Sequence, residues 1–312
     1  MMRYFTLLTS LLLLTSCAHA GYKATDFALE DIGNGIYVHH GEHLDIDEGY
    51  QGDICNVSFV VGSKGVAVID TGGSLKVGQL LRAAIQKITD KPILYVINTH
   101  VHPDHIYGNA AFLADKPEFI GHEKLATAME LRREQYTKLN AKLLGDDAKG
   151  GELIKPTIAV KTTLEPGLVL DLGDRKLAIT AHPVAHTNTD LSATDSKSST
   201  LFTGDLLFIE RTPVLEGDIK GLIAELEKFK SSATKQVVPG HGAVTKDWKR
   251  AIENQQRYLN ALLTDIRASI KKGESMESAM NTAAASEKDK WQLFEIANRR
   301  NVNIIYPALE WE

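Results

Sequence analysis

The chain has 312 residues, of which 43% are hydrophobic and 24% charged, and its formal net charge is −5. This composition is typical of a globular protein and excludes a disordered or collagen-like chain. With 40 acidic residues against 35 basic ones, the charge balance argues against nucleic acid as a partner. With 2 cysteines in the whole chain, a disulfide-rich scaffold is excluded too.

Residues 1–20 have the features of an export signal. A basic start is followed by an apolar run at 7–15 and by a small-residue cleavage pattern that ends at Ala20. The run is too short to span a bilayer, so we expect a periplasmic protein. The stretch ending at Cys17 also resembles a bacterial lipobox, which would place a lipid on Cys17 and anchor the protein to the outer membrane. Cleavage after Ala20 and lipidation exclude one another, and both alternatives stay open.

The remaining chain alternates short apolar strands with helical patterns. Strands are predicted at Ile36–His39, Val57–Val61, Val66–Ile69, Ile93–Ile97, 177–180, 191–194, 200–203 and 236–238. Helices are predicted at 74–89, 105–113, 123–144, 222–229 and 248–270. Because a hairpin is predicted at 57–69, a purely parallel doubly wound sheet does not fit. We therefore predict one α/β (α+β) domain over 21–312, with helices covering mixed sheets and C-terminal helices from about residue 248.

Three histidines and an aspartate follow the predicted strand Ile93–Ile97. His100 and His102 are two residues apart, so in an extended chain they point the same way and suit one metal ion. Asp104 and His105 lie beyond a proline that turns the chain, and they can face a second ion. Imidazole and carboxylate ligands without thiolates favour zinc or iron and argue against a zinc finger or an iron–sulfur cluster.

Further candidate ligands recur at the ends of later apolar segments. They are His186 in Ala-His-Thr, Asp205 in Thr-Gly-Asp and His241 in Gly-His-Gly. Sites of this kind commonly lie in the loops at strand ends.

This order of motifs resembles the metallo-β-lactamase superfamily. The resemblance implies an αβ/βα four-layer sandwich, in which two mixed β-sheets are flanked by helices and carry a dinuclear site at one edge. Carried over by motif, His100, His102 and His186 would bind the first metal, Asp104, His105 and His241 the second, and Asp205 would bridge. Asp70 resembles the strand-end aspartate that orients the histidine loop, a role that makes sense because ligating imidazoles need their other nitrogen fixed.

Such a site predicts a hydrolase with two Zn²⁺ per chain. A metal-bridging hydroxide would attack an ester, thioester, lactone or amide, with Asp104 and Asp205 as catalytic residues that hold and orient it. The expected partner is a small-molecule substrate of unidentified structure. Arg211 follows Asp205 closely enough to reach the mouth of the pocket, where it would either bind an anionic group or form a solvated salt bridge.

Stretches 51–57, 105–112 and 210–215 resemble one exported branch of the superfamily, the quinoprotein relay system zinc metallohydrolases. That resemblance implies a periplasmic quinoprotein partner. Three alternatives stay open: a mononuclear iron dioxygenase that acts on persulfides, a β-lactamase, and a metal-loaded accessory protein without catalysis. The bridging Asp205 weakens the β-lactamase alternative, since zinc β-lactamases of the family lack it.

Overall fold

The structure is a computed structural model, and it describes residues 27–46, 49–163 and 167–312. The expected export signal and Cys17 lie outside these residues. Within them, no helix has both the length and the apolar character needed to cross a bilayer.

The first sheet has seven strands in the order β1 to β7. They are β1 (Glu30–Gly33), β2 (Ile36–His39), β3 (Val57–Val61), β4 (Val66–Ile69), β5 (Ile93–Ile97), β6 (Glu118–His122) and β7 (Ile158–Val160). The first four pair antiparallel, and β4 to β7 pair parallel. The predicted hairpin is β3 and β4, with Val61 opposite Val66.

The second sheet has five strands in the order β12-β11-β10-β9-β8. They are β8 (Leu168–Asp171), β9 (Lys176–Ala181), β10 (Leu191–Asp195), β11 (Thr200–Phe208) and β12 (Gln236–His241). Neighbours from β8 to β11 pair antiparallel, whereas β11 and β12 pair parallel. Both sheets are therefore mixed, as predicted.

The helices lie on the outer faces of the two sheets. They are α1 (Leu75–Ile88), α2 (Pro103–Ile106), α3 (Leu125–Leu144), α4 (Ile219–Lys230), α5 (Trp248–Lys272), α6 (Met276–Thr282) and α7 (Phe294–Leu309). One apolar core fills the space between the sheets, with Val38, Ile97 and Phe202 among its buried residues. Separate cores lie under α1 and under α4, α5 and α7. This arrangement confirms the predicted four-layer sandwich.

The predicted helix at 105–113 is wrong. The α-helical part is the single turn of α2, and a 3₁₀ helix follows at Tyr107–Asp115. Hydrogen bonds to the loop after β4 explain the break in the α-helical pattern, since the Gly108 amide donates to the Gly72 carbonyl and the His105 carbonyl accepts from the Thr71 amide, both at 2.9 Å. No bounds were predicted for β1, β6, β7 and β8, and α6 and α7 fall in the region predicted as C-terminal helices from about residue 248.

The strand predicted at 200–203 is longer than expected. As β11 it continues to Phe208, so Asp205 lies inside the strand and not after it. The register shifts between Phe202 and Gly204, where Gly204 has φ +50°. The regular pairing of β11 with β12 is therefore interrupted next to Asp205.

Candidate metal centre

The seven predicted metal ligands meet at one end of the sandwich. His100 and His102 leave the end of β5, and Asp104 and His105 lie on α2. The second sheet supplies the other three, since His186 follows β9, Asp205 lies in β11 and His241 ends β12. Residues that are up to 141 positions apart in the chain thus face one space.

His100, His102, His186 and Asp205 form a first group, in which the potential ligand atoms all lie within 4.8 Å of one another. His186 Nε2 is 3.0 Å from His102 Nδ1 and 3.4 Å from Asp205 Oδ2. Ligands bound at about 2.0–2.1 Å around one tetrahedral zinc ion lie roughly 3.3 Å apart. The first group therefore fits a single ion.

His105, His241 and Asp205 form a second group of the same kind. His105 Nε2 lies 3.2 Å from Asp205 Oδ1, and His241 Nε2 lies 3.3 Å from Asp205 Oδ2. Asp104 Oδ2 is 3.5 Å from each of these imidazole nitrogens. Because Asp205 belongs to both groups, one carboxylate is placed to bridge two ions.

Three atoms of the site are buried and have no hydrogen-bond partner among the described residues. They are His100 Nε2, His105 Nε2 and Asp205 Oδ1. Leaving a buried polar atom unsatisfied costs about 1–3 kcal/mol. All three atoms belong to the two groups of potential ligand atoms described above, and a bound metal would satisfy them. The residues present therefore fit a metal centre.

Asp70 orients two of the imidazoles through their Nδ1 atoms, directly at His105 and by way of Thr99 at His100. Its carboxylate accepts hydrogen bonds from His105 Nδ1 at 2.8 Å and from the Thr99 hydroxyl at 2.7 Å. The Thr99 oxygen is in turn 3.0 Å from His100 Nδ1. Asp70 also has φ +55°, an uncommon value for a residue other than glycine, and such backbone strain clusters at functional sites.

The other imidazoles are oriented by groups from distant parts of the chain. The Val214 carbonyl accepts from His186 Nδ1 at 2.7 Å, and the Ile54 carbonyl accepts from His241 Nδ1 at 2.6 Å. Glu216 accepts from His102 Nε2 at 2.8 Å. Each of the five imidazoles thus has its second nitrogen engaged, which leaves the first nitrogen free for a metal.

Burial and neighbouring charges set the protonation of the site. Burial lowers the pKa of His186 to about 4, and burial with neighbouring histidines lowers the pKa of His100 well below its ordinary value. Burial alone would raise the pKa of Asp205, but the surrounding imidazoles outweigh it and hold that pKa well below the ordinary range. His100 and His186 are therefore favoured as neutral imidazoles and Asp205 as a carboxylate, the protonation states that bind metal. Burial alone would also lower the pKa of His102 and His105, but Glu216 beside His102, and Cys55 with the aspartates around His105, outweigh it and raise both values.

Cys55 lies beside the second group but behaves as a core residue. Its thiol donates a hydrogen bond to the Asp104 carbonyl at 2.9 Å, and burial raises the pKa of the thiol to about 12. A protonated thiol is a poor nucleophile and a poor metal ligand.

A cavity of about 350 Å³ opens beside the metal ligands. His102, Asp104, Asp205 and His241 line it together with Arg211. Arg211 is only 5% exposed and forms no ion pair with any described residue, so the expectation of a solvated salt bridge is wrong.

Glu216 and the helix that fixes its loop are functional elements that the sequence did not reveal. On α7, the Asn301 side chain accepts from the Leu215 amide at 3.0 Å and donates to the Pro213 carbonyl at 2.7 Å. Residues 211–216 are thereby held against the histidines. No local pattern around Asn301 signals this contact, because its partners are more than 80 residues away.

Comparison with known sequences identifies the family. The sequence model of the metallo-beta-lactamase superfamily matches residues 50–241, which is more than half of the chain. The chain belongs to this superfamily. All seven candidate ligands and Asp70 lie within the matched part, whereas α5, α6 and α7 lie beyond it.

Within the superfamily, one curated relative is a linear primary-alkylsulfatase of Pseudomonas sp. (strain ATCC 19151). It is 28% identical over 143 residues, which is 45% of this chain and 25% of the relative. The chain thus matches about a quarter of that enzyme's length.

Solved structures show the same metallo-β-lactamase fold. A stereoselective inverting sec-alkylsulfatase from Pseudomonas sp. has a TM-score of 0.64 at 17% identity, covering 90% of this chain and 50% of its own. A metallo-beta-lactamase from Pontibacter korlensis has a TM-score of 0.59 at 16% identity, covering 75% of this chain and 98% of its own. These similarities show the fold. They do not identify a substrate for this superfamily member.

Proposed function

We propose that the protein is a dinuclear zinc hydrolase that cleaves a small ester, thioester, lactone or amide. The observation that carries the proposal is Asp205, whose Oδ2 lies 3.4 Å from His186 Nε2 of the first group and whose Oδ1 lies 3.2 Å from His105 Nε2 of the second. A carboxylate shared in this way supports two adjacent ions better than one. It therefore favours the hydrolase over the mononuclear iron dioxygenase.

His100, His102 and His186 would hold the first ion, and Asp104, His105 and His241 the second, with Asp205 between them. A zinc pair supplies a water of lowered pKa and polarises the bond to be cleaved. The chain's own part is to fix that water and the substrate. Asp104 and Asp205 are ionised and buried, so their oxygens can accept hydrogen bonds from the attacking water and orient it. Hydrolysis consumes one water and releases an acid and an alcohol, thiol or amine.

A sulfate ester is a second candidate substrate. The similarity to a linear primary-alkylsulfatase over 143 residues favours it, and the same site could hydrolyse a sulfate ester to an alcohol and sulfate. The two candidates differ in the group that is released, a carboxylic acid or sulfate, and share the metal ligands.

The direct test compares Asp205→Asn with Asp171→Asn. Both variants remove one negative charge, but Asp171 lies on the surface in an ion pair with Lys64. We expect about two zinc ions per chain by elemental analysis in the wild type and in Asp171→Asn, with hydrolysis of 4-nitrophenyl esters or sulfates. Asp205→Asn should lose at least one ion and the turnover while its circular dichroism spectrum stays native-like.

Two results would overturn the proposal. One is a single tightly bound iron with oxygen consumption in the presence of a persulfide, which would make the protein a dioxygenase. The other is a natively folded protein that takes up no metal from zinc-containing medium, which would contradict both the hydrolase and the metal-loaded accessory protein.

We also propose that the protein acts in the periplasm, beside a quinoprotein. The proposal rests on the sequence of residues 1–20 and on the three stretches that resemble the quinoprotein-associated branch. Mass spectrometry of the protein isolated from periplasm and from outer membrane separates cleavage after Ala20 from lipidation at Cys17. A cytoplasmic protein with an intact N-terminus would contradict both.

A further inference from the structure

Arg211 is a buried cation in the wall of the metal cavity. The residue is 5% exposed, and its Nη1 atom is buried with no hydrogen-bond partner among the described residues. A buried charge is normally paired and hydrogen-bonded, because removing it from water without a partner is expensive. Burying Arg211 therefore costs free energy that no contact of its side chain within the described residues offsets.

The other charged groups of the cavity wall have partners within the protein. Arg300 forms a two-pronged ion pair with Asp45, in which Nη2 and Oδ2 are 2.8 Å apart. Glu216 is bound by His102 and by Arg132. Arg211 is the one basic residue among the described cavity residues that has no ion-pair partner.

The aspartates of the metal centre do not fill that role. Asp104 and Asp205 lie within 4 Å of imidazole nitrogens, and neither forms an ion pair with Arg211. A metal pair between those carboxylates would neutralise them further. The positive charge of Arg211 would then face the cavity uncompensated.

The backbone around Arg211 holds it in this position. The Arg211 amide donates to the Ile209 carbonyl at 2.7 Å, and Thr212 donates to the Gln292 carbonyl at 3.0 Å. Arg211 also forms an isolated bridge with Gln292, in the segment that precedes α7. These contacts fix the backbone at residue 211, and burial restricts the side chain, so a ligand would bind with less further loss of conformational entropy than at an exposed arginine.

We propose that Arg211 is the anchor for an oxyanion of the substrate, so that the hydrolase acts on a small molecule carrying a carboxylate or a sulfate. A planar guanidinium matches both groups, because it donates two parallel N–H bonds to a pair of oxygens. The inference rests on the proposed hydrolase function and narrows its substrates to anions. Neutral esters would bind without the anchor.

The test measures anion binding apart from turnover. The zinc-treated protein is heated with and without succinate or sodium sulfate, and the midpoint of unfolding is recorded for the wild type, Arg211→Met, Arg211→Lys and Arg133→Gln. Arg133 is a matched charge control, because it is exposed on α3 and pairs with Glu130. We expect the wild type and Arg133→Gln to be stabilised alike by the anion, Arg211→Lys less, and Arg211→Met not at all.

Turnover then shows whether the anion belongs to the substrate. Mono-4-nitrophenyl succinate carries a carboxylate, 4-nitrophenyl acetate is its neutral counterpart, and 4-nitrophenyl sulfate carries the anion on the reacting group. In Arg211→Met we expect kcat/KM for the anionic ester or the sulfate to fall by about 10- to 100-fold, as for a lost hydrogen bond to a charged group. The value for the acetate should change by less than about twofold.

The outcomes separate the two proposals. If Arg211→Met keeps the anion-dependent shift, or loses kcat/KM equally for neutral and anionic substrates, the anchor is refuted. If the shift disappears in Arg211→Met while no variant hydrolyses any substrate, the anion site stands and the hydrolase proposal fails. Without added anion, a fall in the unfolding midpoint of Arg211→Met as large as that expected for Arg175→Met would assign Arg211 to the fold and also refute the anchor.

Discussion

Two buried arginines lie at opposite ends of the second sheet and differ in how their charge is compensated. Arg175 precedes β9, and its guanidinium donates to both oxygens of Asp195 at 2.8 and 2.7 Å and to the Val61 carbonyl at 3.0 Å. Arg211 follows β11 at the metal end and has no such partners among the described residues. At the Arg175 end, the buried charges find their partners within the chain. At the metal end, buried polar groups would find partners only in a bound metal or ligand.

The same difference holds for the neighbours of the two arginines. Around Arg175, Ser198 also donates to Asp195 and closes the network. At the metal end, buried nitrogens of His100 and His105 stay without hydrogen-bond partners. Unsatisfied polar groups cluster at functional sites because the stability lost there is recovered on binding.

The largest expected effect is at the metal end. We expect His186→Ala to lose bound zinc and to lower turnover by more than about 100-fold, since replacing only the outer partner of a metal ligand costs about 10- to 100-fold. His40→Gln serves as a control, because His40 is partly exposed and pairs with Glu30. Elemental analysis and initial rates measure the effect. Full zinc content in His186→Ala would remove this residue from the metal site.

The next prediction contrasts the two arginines directly. Arg175→Met leaves the Asp195 carboxylate buried without a counterion, and we expect the free energy of unfolding to fall by about 3–5 kcal/mol. Arg211→Met leaves no buried partner behind and should lower that free energy by less than about 0.5 kcal/mol, or raise it. Urea unfolding of the metal-free proteins measures both. Equal losses would mean that the two ends are stabilised in the same way.

A smaller effect is expected from Asp70, which orients two ligands without touching the metal. Asp70→Asn should weaken zinc binding by about 10- to 100-fold, because an amide is a weaker acceptor for the His105 and Thr99 donors. Titration with a competing chelator measures the affinity. Asp115→Asn, which disturbs a surface pair with Arg82, should leave it unchanged; a similar loss there would show a general effect of charge.

The smallest effect is the dependence of stability on pH at the Arg175 end. Burial alone would raise the pKa of Asp195, but hydrogen bonds from Arg175 and Ser198 outweigh it and lower that pKa below its ordinary value. The pair therefore stabilises the fold fully above the unfolded pKa of about 4, and this contribution is lost as the pH falls toward the folded pKa. Urea unfolding of metal-free protein between about pH 6 and 3 should show a shallower decline for Asp195→Asn than for the wild type. Parallel curves would contradict the assignment.

The alternation of strands and helices and the residues gathered at one end were predictable from the sequence, and the resemblance of its motifs to the metallo-β-lactamase superfamily implied the four layers. His100 to His105 are recognisable because their spacing is local, and strands such as Val57–Val61 because an apolar run between turns has one favourable structure. The helix predicted at 105–113 failed where hydrogen bonds of Gly108 and His105 to the loop after β4 overrode the local pattern.

The orientation of the ligands and the surroundings of Arg211 depend on contacts between distant parts of the chain. Glu216 contacts His102 across 114 positions, and Asn301 fixes the loop of Leu215 across 86. Arg211 likewise lacks an ion-pair partner because of how β11, α7 and the histidine loop pack together, and the local sequence does not show this. Local patterns reflect the preferences of neighbouring residues, whereas the compensation of a buried charge depends on contacts between distant ones.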